Sequence, residues 1–132
     1  MGLGTDLVDI AQLRAQLNDP ASSFAVQTFS AAEIRYARQH PSKDPARHLA
    51  ARFAAKEALI KAWSSLHFGR PPQVPNPNFL EIEVHNDHYG RPALRFSGEL
   101  QQHLKAYTTK LSLSHDGGYA IAVVLLSTGA ES

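Results

Sequence analysis

The segment from Pro45 to Trp63 constrains this chain more than any other. Proline suits the first turn of a helix, and the residues after it are rich in alanine, the strongest helix former. Leu49, Ala50, Phe53, Ala54, Ala58 and Ala62 recur at helical spacing, so one face of this helix is core. A helix with an apolar stripe must bury it against another layer, and the flanking sequence supplies strands.

Residues 2 to 10 read as a short first strand rich in β-formers, with Asp6 set into it. Asp9 is placed to cap a helix from Ile10 to Leu17, which Asn18-Asp19-Pro20 ends. A second helical piece covers Ser22 to Thr28. Ser30 followed by Glu33 matches a capping box for a helix to Arg38, closed before Pro41. Gly69 to Pro77 is a proline-rich loop. Phe79 to Val84 and Ala93 to Phe96 read as strands joined by Asp87-His88-Tyr89-Gly90, and Gly98 to Tyr107 as a helix. Leu111 to His115, Asp116-Gly117-Gly118 and Tyr119 to Leu126 form the clearest hairpin signal, because glycine supplies the positive φ of a tight turn. The order of elements predicts an α+β fold, an antiparallel sheet packed against the long helix. The chain has 132 residues, which suits a single domain over 1–132 that hides about two-thirds of its unfolded surface.

The formal net charge of +1 conceals a segregation. Residues 35 to 61 hold Arg35, Arg38, Lys43, Arg47, Arg52, Lys56 and Lys61 against only Asp44 and Glu57, a local excess of +5, while the remainder carries −4. Such a cationic middle is the mark of an anionic ligand or partner. The stretch is alanine-rich rather than interleaved with aromatics, which argues against nucleic acid. Absence of cysteine excludes disulfides, thiolate nucleophiles and cysteine-ligated metals. No apolar run approaches the roughly 20 residues needed to span a bilayer, and no signal-peptide core is present, so a cytoplasmic location is expected.

Glu57 is the only acid between Ala46 and Trp63. It shares a helix face with Lys61 at i,i+4, as Arg52 does with Lys56. Glu57–Lys61 reads either as a solvated ion pair or, beside apolar Phe53, as a partly buried pair that a ligand or metal satisfies. Aspartate is a poor strand residue, so Asp6 serves either a turn or a ligand. If Asp6 and Glu57 meet, they offer two oxygen ligands with open positions, the way magnesium is commonly held beside phosphates. Ser114-His115-Asp116 is no catalytic triad, because neighbours on a strand face opposite ways; His115 lies on the side of Leu111 and Leu113.

Four stretches carry a resemblance: Gly-Leu-Gly-Thr-Asp-Leu-Val-Asp-Ile at 2 to 10, Arg-Phe-Ala-Ala-Lys-Glu-Ala-Leu-Ile-Lys-Ala at 52 to 62, Gly-Arg-Pro at 90 to 92, and Ser-His-Asp-Gly-Gly-Tyr-Ala-Ile-Ala at 114 to 122. In this order they resemble the holo-[acyl-carrier-protein] synthases, small 4′-phosphopantetheinyl transferases, and most of all actinobacterial members. The resemblance implies transfer of phosphopantetheine from coenzyme A to a serine of an acyl carrier protein, with release of adenosine 3′,5′-bisphosphate, for fatty acid biosynthesis. It implies Asp6 and Glu57 as Mg²⁺ ligands, and Lys61 at the pyrophosphate. Arg52 and His115 would engage the 3′-phosphate, with Lys56 nearby and Gly90, Arg91 and Pro92 bordering the adenine. It further implies a homotrimer with active sites between neighbouring subunits. Removal of the serine proton is left open among Glu57, Asp6 and a metal-bound water.

Two departures stand out. After Ala62 comes Trp63-Ser64-Ser65-Leu66-His67-Phe68-Gly69, where many members carry a Gly-Thr-Gly loop, and Gln12 stands where members acting on free acidic carriers often place arginine, with Arg14 the nearest basic residue. The second departure is compatible with a carrier domain inside a type I fatty acid synthase. The competing readings are a non-catalytic scaffold that binds CoA or a carrier, and a metal-dependent nucleotide hydrolase.

Overall fold

A computed structural model describes residues 1–128. Strand β1 (Gly2–Asp9) leads into α1 (Ile10–Asn18), α2 (Phe24–Thr28), α3 (Ala31–Gln39) and the long α4 (Pro45–Ser64). After the proline-rich loop come β2 (Ile82–Asn86), β3 (Pro92–Phe96), α5 (Gly98–Leu104), β4 (Tyr107–Asp116) and β5 (Tyr119–Thr128). Pairing is antiparallel throughout, in a three-stranded sheet ordered β1-β5-β4 and a separate β2-β3 ribbon. The fold is α+β, with the larger sheet packed on α4.

The helix signals lie where the side chains place them. Asp9 Oδ1 accepts the Gln12 amide at 3.2 Å, and Asp44 Oδ1 accepts that of Arg47 at 3.4 Å with Pro45 opening α4. The Ser30–Glu33 capping box closes in both directions, at 3.2 and 2.9 Å. Several boundaries differ from the sequence expectation, most of all at Phe79 and after Leu104. Phe79–Glu81 is a single 3₁₀ turn, because Asn78 Oδ1 accepts the Leu80 amide at 3.0 Å, so β2 starts only at Ile82. Helix α5 stops at Leu104, and Tyr107 already belongs to β4 in register with Thr128.

Helix α4 is buried on more than one face: Ala51, Ala55, Lys56 and Leu59 are covered as well as the anticipated stripe. Ala120, Ala122, Val124 and Leu126 of β5 complete the core on the sheet side. Backbone approach there is too close for side chains, since a Cβ on Gly4 would overlap the Ala58 carbonyl and one on Gly2 that of Ala62. Glycine is thus demanded in β1 by helix–sheet contact rather than by a turn.

Lys56 requires a correction. It is fully buried, and its ammonium donates to the Thr28 carbonyl at 2.5 Å, Glu33 Oε1 at 2.7 Å and the Phe79 carbonyl at 3.1 Å. Three donors meet three acceptors, so none is left for a CoA phosphate. Burial pulls this ammonium below the ordinary lysine range, and the Glu33 charge opposes that shift. Removing one member of a buried pair strands the other, at a cost of ~3–5 kcal/mol. Lys56→Met is therefore expected to lose about that much in urea unfolding; a loss under ~1 kcal/mol would show that Lys56 is no structural anchor.

Candidate active site

Alternation along β1 turns Gly2, Gly4, Asp6 and Val8 toward α4, because these positions pair with the inward residues Leu126, Val124, Ala122 and Ala120 of β5. Asp6 therefore faces the helix and, with Glu57, lines a hollow of ≈ 280 Å³ that Asp9, Gln12, Gln16 and Phe53 also border. The two carboxylates that the sequence left conditional are brought together. Glu57 is half-buried, and its carboxyl is pushed above the usual range first by desolvation and then by the Asp6 charge, against the pull of Lys61.

Lys61 does not make the expected hydrogen-bonded pair with Glu57. Its ammonium donates to Asp6 Oδ1 at 3.0 Å and to the Thr5 carbonyl at 3.1 Å. The tight passage of β1 along α4 puts Asp6 closer to hand than the residue one helical turn away. Half of this lysine remains in solvent, so the contact is one a phosphate can replace.

Among the described residues no group of three or more His, Cys, Asp or Glu forms a cage. Two adjacent carboxylates whose mutual repulsion raises one of them suit a hard cation that completes its shell with water and phosphate oxygens. The residues present fit magnesium.

A second cavity of ≈ 320 Å³ gathers Arg52, Gly90, Pro92 and His115, with Tyr36, Asn86 and His48 in its wall. Arg52 is only 3% exposed. Its guanidinium lies 4.2 Å from the centre of the Tyr36 ring, and Nη2 donates to Asn86 Oδ1 at 2.5 Å. His115 shares its face with Leu111 and Leu113, as alternation requires. Arg91 turns away, 3.7 Å from Asp87 Oδ2 and over the Tyr89 ring, so only the turn's neighbours reach this cavity.

The two hollows share no lining residue. Arg52 and Glu57 are five residues apart on α4, an angular separation of about 140°, and so face different sides of the helix. Sequence reading missed Tyr36, Asn86 and His48. His48 stands one helical turn before Arg52 on α4, a spacing that could have found it, whereas only the fold brings Tyr36 of α3 and Asn86 at the end of β2 beside Arg52.

His48 yields a test. Its imidazole is driven from 6.5 to about 4 by desolvation first and then by His40, Arg52, Arg47 and His115. The folded state then binds fewer protons than the unfolded one between those values, so stability falls as pH drops from about 6.5 toward 4. Urea unfolding across that interval should show a shallower slope in His48→Gln than in the parent, and an unchanged slope would contradict this assignment.

A family model described as the 4′-phosphopantetheinyl transferase superfamily matches residues 2–124. The chain is 45% identical over 128 residues to the holo-[acyl-carrier-protein] synthase of Mycobacterium ulcerans (strain Agy99), covering 97% of each. It is 42% identical over 131 residues to that of Nocardia farcinica (strain IFM 10152), covering 99% of this chain and 90% of the relative. Among solved structures, a Chronobacterium ammoniagenes ACPS-CoA complex superposes with a TM-score of 0.86 at 44% identity over 96% of both chains. The Mycobacterium tuberculosis acyl carrier protein synthase superposes with a TM-score of 0.77 at 41% identity over 96% of both.

Proposed function

Because this chain belongs to the 4′-phosphopantetheinyl transferase superfamily, we propose that it moves 4′-phosphopantetheine from coenzyme A to a serine of an acyl carrier protein or of a type I fatty acid synthase carrier domain. The observation that carries this reading is the convergence of Asp6 and Glu57 beside Lys61, with a separate arginine–histidine cavity on the other side of α4. The names of the relatives and the CoA bound to the C. ammoniagenes protein support it. The reaction serves fatty acid biosynthesis in the cytoplasm. No helix among the described residues is long and apolar enough to cross a membrane.

In this reading the serine oxygen attacks the phosphorus that bears pantetheine. The bond to the bridging diphosphate oxygen breaks, and adenosine 3′,5′-bisphosphate leaves. Asp6 and Glu57 would hold Mg²⁺, which would supply positive charge to the diphosphate oxygens. The serine proton passes to Glu57, Asp6 or a water held beside them. Lys61 exchanges Asp6 for the diphosphate and neutralises charge that grows on the departing oxygen. Arg52 and His115 hold the 3′-phosphate at a distance from the chemistry, and Gly90 and Pro92 border the adenine. Gln12, an exposed residue lining the carboxylate hollow, faces the incoming carrier. Gln12 brings no charge there, which suits a carrier domain less dependent on acidic residues.

Since the two hollows lie on different sides of one helix, one CoA engages both only if a second subunit supplies the second hollow. The outer face of the β1–β5 sheet offers the means: Leu3 and Leu7 are 63% and 61% exposed, and Ile121 and Val123 lie beside them. An apolar strip of this kind marks an association surface, and the assembly proposed is a closed homotrimer of single-domain chains spanning 1–132.

Purified protein with CoA, Mg²⁺ and a carrier domain should add the mass of phosphopantetheine to the carrier, read by mass spectrometry. Asp6→Ala or Glu57→Ala should lower the rate at least ~100-fold. A folded protein that transfers nothing to any carrier from its own source, and binds CoA without metal, would instead favour the scaffold reading.

The shared-site geometry has its own test. Arg52→Ala and Glu57→Ala chains, each inactive at limiting CoA, are mixed and reassembled. Random mixing into three-membered rings leaves roughly a quarter of the composite sites intact. Recovery near that level is expected, and no recovery would mean that each chain carries its whole site alone.

A further inference from the structure

Arg52 is held in an unusual way for a ligand-binding arginine. A long cationic side chain loses considerable rotamer freedom when it is ordered, so an arginine that must find its anion from solvent carries that entropic cost at binding. Here the ordering is done in advance. The Tyr36 ring covers one face of the guanidinium at 4.2 Å, and Asn86 Oδ1 receives Nη2 at 2.5 Å. Asn86 is itself fixed, because its Nδ2 donates to the Gly90 carbonyl at 3.0 Å; the opposite amide orientation would point donor at donor. One amide thus ties the arginine to the turn that borders the same cavity.

What the clamp leaves free is as informative. Arg52 Nε is buried and has no hydrogen-bond partner, a costly state unless an oxygen arrives. No carboxylate lines the cavity. His48, with its imidazole near 4, is uncharged at neutral pH, so Arg52 is the fixed cation there.

From this we infer that Tyr36 and Asn86 are positioning residues that hold Arg52 for the 3′-phosphate and thereby set the preference for a 3′-phosphorylated nucleotide. The inference rests on the transferase reading, which supplies the ligand, but it concerns residues outside the four motif stretches. Tyr36 and Asn86 act through Arg52, and the chemistry at the far end of CoA is untouched by them.

The test is binding of adenosine 3′,5′-bisphosphate and adenosine 5′-monophosphate, measured by calorimetry on the assembled protein. The parent should prefer the bisphosphate. Tyr36→Leu should weaken the bisphosphate about tenfold, the worth of a desolvated cation–π contact, and leave the monophosphate unchanged. Tyr36→Phe, which keeps the ring face, should bind as the parent does. Asn86→Leu should repeat the selective loss and carries the test if Tyr36→Leu fails to fold. In turnover the same variants should raise KM for CoA with kcat retained, and leave KM for 3′-dephospho-CoA as it was.

Equal weakening of both nucleotides, or of neither, overturns the inference, as does a Tyr36→Phe variant no better than Tyr36→Leu. A parent that transfers phosphopantetheine yet binds both nucleotides alike overturns the positioning role and leaves the transferase standing. One that binds neither and transfers nothing overturns both.

Discussion

The fold is organised around one buried charge pair, Lys56 with Glu33. Glu33 Oε1 accepts from Lys56 at 2.7 Å and from the Ser30 amide at 2.9 Å, while Oε2 accepts the Val84 amide at 2.9 Å. Lys56 spends its remaining protons on the carbonyls of Thr28 and Phe79. Two side chains thereby join the end of α2, the start of α3, the middle of α4, the 3₁₀ turn and β2. Desolvating two ions is expensive, and such a pair is tolerated only when every donor and acceptor is matched, as here. Its contribution is to specify an arrangement more than to add stability: a slip of α4 by one residue would rotate Lys56 out and leave the buried Glu33 without its counter-charge.

Fixing the rotation of α4 fixes the site. With Lys56 turned inward, Glu57 emerges beside β1 and Arg52 emerges toward the β2–β3 ribbon and β4. On the sheet side the bare backbones of Gly2 and Gly4 let β1 run against the helix, which carries Asp6 to Lys61 and Glu57. The half-buried carboxylate, the exposed lysine and the pre-ordered arginine all follow from how this one helix is seated.

Much of this was legible in the amino-acid order. The capping box at Ser30, the cap at Asp9, the proline that opens the alanine-rich helix and the glycine turn at 117 and 118 are local signals, and local geometry decides them. The 3₁₀ turn at Phe79 was not legible, because a strand pattern and an Asn-capped turn look alike over three residues. Lys56 was misread for a related reason. A lysine within a basic run resembles a phosphate ligand, and only its distant acceptors at Thr28, Glu33 and Phe79 identify it as internal. Lys61 lies one helical turn from Glu57 yet pairs with Asp6, since i,i+4 spacing says nothing about what a neighbouring strand brings closer.

The sequence by itself therefore determined the fold class, the family, and the types of group available for chemistry: two carboxylates, cations and a histidine in motifs of recognisable order. Those are properties of residue identity and short spacing. Tertiary structure decided which of the cations can meet a ligand, that the carboxylates converge, that the arginine cavity opens on a different side of α4, and that Tyr36 and Asn86 hold the arginine in place. Those are contacts between residues separated by tens of positions, set by burial and hydrogen-bond satisfaction across the whole core, and no local window of sequence contains them.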